Sequence, residues 1–217
     1  MILIYNIIAL LSMPFFALWL LIYLIIKPEK RAIIPQRLGF GLKLPPNRKE
    51  RTLWIHALSV GEITSASLLV KQLYQLKGES TTIVFSTTTV SGHHLAEQQI
   101  APYCDALIYF PLDFLPVVKL FQRKIQPDLF IQIETDFWPN LLNCLARAGI
   151  PLLLFNGRIS DRSMQRYQRF SFFFAPIFDS FTLLCMQTDS DARKMVQLGV
   201  TKEKLRVLGN LKFCRDE

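Results

Sequence analysis

From Leu53 to Leu208 the chain repeats one pattern: a short β-branched, aliphatic or aromatic run, then a longer stretch with helical spacing. Strands are predicted at Leu53–Ala57, Thr82–Ser86, Ala106–Phe110, Leu129–Ile133, Leu152–Phe155, Leu183–Gln187 and Leu205–Leu208. Helices are predicted at Glu62–Leu76, Gly92–Ala101, Leu115–Ile125, Pro139–Ala148, Arg162–Phe178 and Ser190–Leu198. Strand and helix in alternation imply a parallel sheet covered on both faces, an α/β domain. Punctuation agrees: Gly78, Gly149 and Gly199 follow predicted helices, Asp113 is placed to cap the third, and Pro127, Pro139 and Pro151 fall at boundaries.

The amino terminus is different in kind. Ile2 to Ile26 contains no charged residue, and a helix of that length spans a hydrocarbon layer of about 30 Å. No basic start and no A-x-A site mark it as a signal peptide, so the expectation is a retained anchor, residues 1–26. Asn6, Ser12 and Pro14 interrupt it, which leaves open a helix lying flat in the interface. Lys27, Lys30, Arg31, Arg37, Lys43, Arg48, Lys49 and Arg51 form a basic connector, residues 27–51. By the positive-inside rule they place the remaining body, residues 52–217, in the cytoplasm behind a single-pass anchor. The net charge of +8 lies on the carboxyl side of that anchor and suits anionic phospholipids or a phosphorylated substrate at the membrane. Nucleic acid is not expected as a partner, because no aromatic-interleaved or zinc-finger signature accompanies the charge.

Cys104, Cys144, Cys185 and Cys214 lack C-x-x-C spacing and read as reduced thiols. His56, His93 and His94 make a poor ligand set, so no metal is expected. Neither a P-loop, a G-x-G-x-x-G fingerprint nor a G-x-S-x-G elbow occurs. The aromatic run Phe170–Phe174 reads as core or as membrane-facing helix surface.

Chemistry is concentrated at four strand-to-helix junctions, which a parallel sheet gathers on one edge. Ser59-Val60-Gly61-Glu62 brings a carboxylate to a helix start, where it either complements the dipole or takes a proton from a hydroxyl. Ser86 to Gly92, with Thr88 and Ser91, is a hydroxyl-rich loop suited to sugar or phosphate oxygens or to plain capping. Glu134 to Asn140 places two acids beside Trp138, as a sugar site or as a core Trp with solvated acids. Asn156 to Ser163 carries Arg158, a bidentate anion ligand or a surface ion-pair partner.

In order along the chain stand Arg37-Leu38-Gly39, Trp54 to Glu62, Thr87 to Gly92, Tyr109 to Asp113, Glu134 to Asn140, Asn156 to Ser160 and Gly209 to Phe213. Together they resemble the amino-terminal half of bacterial 3-deoxy-D-manno-octulosonic acid (Kdo) transferases. The resemblance implies a Rossmann-like domain, the acceptor-binding half of a B-type glycosyltransferase fold. Its expected activity is transfer of Kdo from CMP-Kdo to lipid A precursor at the bacterial inner membrane. Glu62 matches the family's catalytic base, and Glu134 and Lys212 match positions credited with transition-state stabilisation. Ser59, Gly61, Thr88, Ser91, Gly92, Trp138, Asn140 and Arg158 are the expected substrate-binding residues. No cofactor is implied, and CMP-Kdo is expected on a carboxyl-terminal domain. Cys214 stands where family members have Asp, and the chain ends at Glu217, where that domain is expected to begin. The expectation is therefore a truncated gene product, a fragment, or one part of a split protein partnered by a separate carboxyl-terminal half, in each case inactive alone; the alternative is a membrane-tethered lipid A precursor-binding module without catalysis.

Overall fold

A computed structural model describes residues 2–27, 31–46, 49–76 and 78–211. Lys212 and Cys214 lie outside them. Helix α1 (Ile2–Ile26) is followed by short α2 (Ile33–Arg37), within the connector. The body then runs β1 (Arg51–Ala57), α3 (Val60–Leu76), β2 (Thr81–Thr87), α4 (Val90–Gln99), β3 (Ala106–Tyr109), α5 (Leu115–Ile125), β4 (Leu129–Ile133) and α6 (Pro139–Arg147). It continues with β5 (Leu152–Gly157), α7 (Asp161–Arg169), α8 (Ser171–Asp179), β6 (Leu183–Met186), α9 (Asp189–Gln197) and β7 (Leu205–Val207).

The seven strands form one sheet in the order β3-β2-β1-β4-β5-β6-β7, and every pairing is parallel. Alternate side chains divide the core. Trp54, Phe130 and Leu154 face α5 to α9, where Phe121, Leu141, Leu145 and Phe178 are buried. Ile55, Phe85 and Ile131 face α3 and α4, where Ile63, Val70 and Ala96 are buried. The expected sheet with helices on both faces is present.

Two local expectations are corrected. The predicted helix Arg162–Phe178 is two helices, broken at Phe170, whose ψ of 38° leaves the helical region. The break lets Phe174 and Phe178 pack on Tyr167, with ring centroids 4.6 and 5.3 Å away, while Phe170 and Phe172 stay exposed. A run of three Phe cannot turn one face to the core in a single straight helix. Asp113 does not cap α5, whose N-cap is Phe114 with no side-chain bond. Its carboxylate caps α6 across the fold, accepting the Asn140 and Leu141 backbone N–H groups at 3.0 and 2.9 Å.

Helix α1 is long and apolar enough to cross a membrane, and among the described residues no other helix is. Its first turns are not free of the body: the Tyr5 hydroxyl donates to Asp113 Oδ2 at 3.1 Å, and Asn6 Nδ2 donates to Asn140 Oδ1 at 2.8 Å. These two bonds hold the first turns of α1 against the body.

Asp113→Ala strips the buried start of α6 of its acceptor. It is expected to lower the unfolding free energy by about 2 kcal/mol, read as a fall in the urea midpoint in detergent.

Candidate active site

Strand order reverses between β1 and β4, whose neighbours run outward in opposite directions. At such a switch point the loops leaving the two strands diverge and open a crevice at the carboxyl edge. The junction after β1 carries Ser59 and, in the first turn of α3, Glu62, and the loop after β4 carries Glu134 and Asp136. The fold therefore brings the first and third junctions together.

Glu62 lies in the first turn of α3 and is 6% exposed. Its Oε2 accepts the Leu58 backbone N–H at 2.7 Å, and its Oε1 accepts the Ser59 hydroxyl at 2.9 Å. Burial raises its pKa from 4.5 to about 7; the two hydrogen bonds oppose that rise, and the charges of Asp136 and Glu134 add to it. A carboxylate poised near neutrality accepts a proton and releases it again at physiological pH. Burial also holds the Asp136 carboxyl above its ordinary range.

Glu134 and Asn156, at the ends of β4 and β5, both sit in left-handed backbone with φ of 60°. Such non-glycine conformations persist where surrounding bonds enforce them. Asn156 supplies these bonds: its Nδ2 donates to Glu134 Oε1 at 3.4 Å, and its Oδ1 accepts the Leu211 backbone N–H at 3.1 Å. It thus ties the Glu134 carboxylate to the segment that leads to Lys212. The expected site omits Asn156, although Asn before Gly157 is the usual sequence signal for left-handed backbone. A Glu in that conformation has no comparable signal.

The remaining expected residues divide. Ser59 is half-buried and Gly61 exposed beside Glu62. Thr88 Oγ1 is buried with no hydrogen-bond partner among the described residues, and Ser91 is exposed. Gly92 is buried against its own loop, where a Cβ would stand 2.7 Å from Thr89 Oγ1 and 3.0 Å from Ile63 Cδ1. Close packing of α4 on α3 accounts for that glycine. Trp138 turns inward, its ring 5.1 Å from Phe110 and 6.4 Å from His56. Asn140 is fully buried and spends its amide on the Asp113 carbonyl and on Asn6. Arg158 is exposed, and its carbonyl accepts the Thr135 hydroxyl at 2.6 Å.

His56 is no competing base. Burial is the main cause that lowers its pKa to about 3, with Arg37 adding to the effect, and its Nδ1 lies 3.0 Å from the Ser86 carbonyl oxygen. Among the described residues no group of three His, Cys, Asp or Glu side chains can hold a metal ion. Cys104 is partly exposed, Cys144 and Cys185 are buried, and none of the three is in a disulfide.

The sequence profile of the family described as 3-deoxy-D-manno-octulosonic-acid transferase (kdotransferase) matches residues 32–215. The chain belongs to the Kdo transferase family. It is 34% identical over 190 residues to the 3-deoxy-D-manno-octulosonic acid transferase of Haemophilus influenzae, covering 86% of this chain and 43% of that protein. Identity to the transferase of Rickettsia bellii is 30% over 213 residues, 98% of this chain and 49% of that protein. A bifunctional glycosyltransferase/methyltransferase of Fusobacterium nucleatum is 35% identical over 170 residues, 76% of this chain and 26% of that protein. This Kdo transferase family chain thus spans half or less of the curated relatives it matches. Its fold is shared with UDP-GlcNAc 2-epimerases of Methanocaldococcus jannaschii (TM-score 0.55, 12% identity, 73% of this chain and 45% of that one) and Neisseria meningitidis (0.53, 12%, 74% and 47%). At such identity the likeness speaks for the fold alone.

Since the folded-state pKa of Glu62 lies above its ordinary 4.5, its favourable contribution is complete below that pH and is lost as pH rises through about 7. Glu62→Gln keeps the acceptor for Leu58 and removes the titration. The variant is expected to gain on the order of 2–3 kcal/mol relative to wild type between pH 4.5 and 8, measured by urea unfolding across that range.

Proposed function

We propose that this chain is the acceptor-side half of an inverting Kdo transferase that moves Kdo from CMP-Kdo to lipid A precursor, with Glu62 as general base. The observation that carries this reading is a buried carboxylate at the sheet's switch point with its pKa brought to about 7. Glu62 takes the proton of an acceptor hydroxyl as that oxygen bonds the Kdo anomeric carbon. The bond from that carbon to CMP breaks on the opposite face, and CMP departs with its electron pair. Glu134, held by Asn156, and Lys212 serve the charge that develops on the way. Ser59 keeps the Glu62 carboxylate aimed, and Thr88, Ser91 and Arg158 offer polar groups to acceptor oxygens and phosphates from neighbouring junctions.

Residues 52–217 form the acceptor-binding domain in this proposal, 27–51 the basic connector and 1–26 the membrane attachment, at the cytoplasmic face of the bacterial inner membrane. CMP-Kdo binds the carboxyl-terminal half that the longer relatives have room for. The 217 residues alone therefore transfer no Kdo.

One observation favours a second reading. The Leu58 and Ser59 bonds to Glu62 are those of a helix start closing on itself, which needs no chemistry. On that reading the domain binds lipid A precursor and catalyses nothing.

Supplying a carboxyl-terminal half from a relative together with CMP-Kdo and lipid acceptor separates the two. Restored transfer that falls about 10²–10⁴-fold in Glu62→Gln supports the base. Transfer unchanged in that variant defeats it. With transfer restored, the rate is expected to rise with pH through about 7. Asp136→Asn, by removing a charge that raises the Glu62 pKa, is expected to move that rise to lower pH.

A further inference from the structure

We propose that one water molecule is held beneath the crevice, at the carboxyl ends of β1 and β4, donating to His56 Nε2 and Gln132 Oε1 and accepting from Trp138 Nε1. Each of these atoms is buried, and among the described residues none offers it a hydrogen-bond partner. His56 and Gln132 are 1% and 0% exposed. A buried polar group left unpaired costs about 1–3 kcal/mol, so several brought to one place point to an occupant.

The three atoms share one place in the fold. His56 and Gln132 are register partners on adjacent parallel strands, so their side chains leave the same face of the sheet, that of Trp54 and Phe130. The His56 ring lies on that of Phe110, 3.7 Å away, and the Trp138 ring stands edge-on to it at 6.4 Å. His56 Nδ1 is turned to Ser86 on β2, which directs Nε2 away from β2 and to the side of β4. Gln132 Nε2 donates to the Glu134 carbonyl at 3.4 Å, so this amide reaches toward the carboxyl edge, where Trp138 stands at the start of α6.

The protons fix the role of each atom. The Ser86 hydroxyl gives its one hydrogen to the Ile55 carbonyl at 3.2 Å and accepts the Trp54 indole N–H at 2.9 Å. The Ser86 carbonyl, 3.0 Å from His56 Nδ1, only accepts. The hydrogen between the two residues is therefore the imidazole's. Burial keeps the ring neutral, which leaves Nε2 a bare acceptor. Gln132 Oε1 is an acceptor because its amide nitrogen faces a carbonyl, and an indole nitrogen only donates.

Two acceptors and one donor are the complement of a water molecule, which donates twice and accepts as well. A cation is turned away by the indole N–H and by Arg37, whose charge is felt at His56. An anion meets two lone pairs. A ligand hydroxyl has a single hydrogen for two acceptors, and so has Trp138 if it bonds either of them directly. The water joins β1, β4 and the start of α6, bracing both ends of the segment that carries Glu134 and Asp136.

The test does not depend on glycosyl transfer. The full chain is crystallised from a lipid mesophase to a resolution at which ordered water is visible. The expected result is one density peak at hydrogen-bonding distance, about 2.7–3.2 Å, from all three atoms. In the nitrogen-15-labelled chain in detergent, the indole proton signal that disappears in Trp138→Phe is expected to show an NOE to long-lived water. The His56 ring is expected to carry its proton on Nδ1. Absence of the peak, a direct bond from Trp138 Nε1 to His56 or Gln132, a His56 proton on Nε2, or absence of the NOE overturns the inference. Should Trp138→Phe not fold, the crystal alone decides.

Discussion

Parallel pairing of β1 with both β2 and β4 is the constraint on which the rest of the molecule depends. Two strands growing outward from one centre leave their loops nothing to pack against at the divide, so the divide becomes a crevice. Whatever the loops after β1 and β4 carry must then meet there. In this chain they carry three carboxylates, and a buried acid repelled by two neighbours has its proton affinity raised.

The turn at Glu62 shows two demands met by one side chain. A helix start needs acceptors for its own and the preceding N–H groups, and Glu62 supplies one to Leu58. The same bond stabilises the ionised carboxylate and so limits how far burial can raise its pKa. A residue balanced in this way is held in place without being locked into one protonation state.

Much of the architecture was legible in the sequence, because alternation of short apolar runs with helical spacing depends on local periodicity alone. The strand Leu129–Ile133 and the helix Leu115–Ile125 match the structure to the residue. Legibility failed where a partner far along the chain decides the outcome. Asp113 has the composition and position of a cap for α5, yet the unpaired N–H groups of α6, brought close by the fold, claim it. Trp138 in an acid-flanked junction left a sugar platform and a core ring equally open, and only the fold sets its ring against Phe110 and His56. The hydrophobicity of α1 marked a helix long enough to span a membrane without marking the bonds that Tyr5 and Asn6 make to the body. The candidate site was legible in part: the place of Glu62 in a first helical turn could be read, whereas the influence of Asp136 and the brace from Asn156 arise only on folding.

Asp113 joins regions that would otherwise be indifferent to one another. One oxygen pair closes the first turn of α6, where Trp138 and Asn140 stand, and grips the beginning of the oily helix. A displacement of that helix is therefore felt in the first turn of α6, through Asp113 and the Asn6–Asn140 bond beside it.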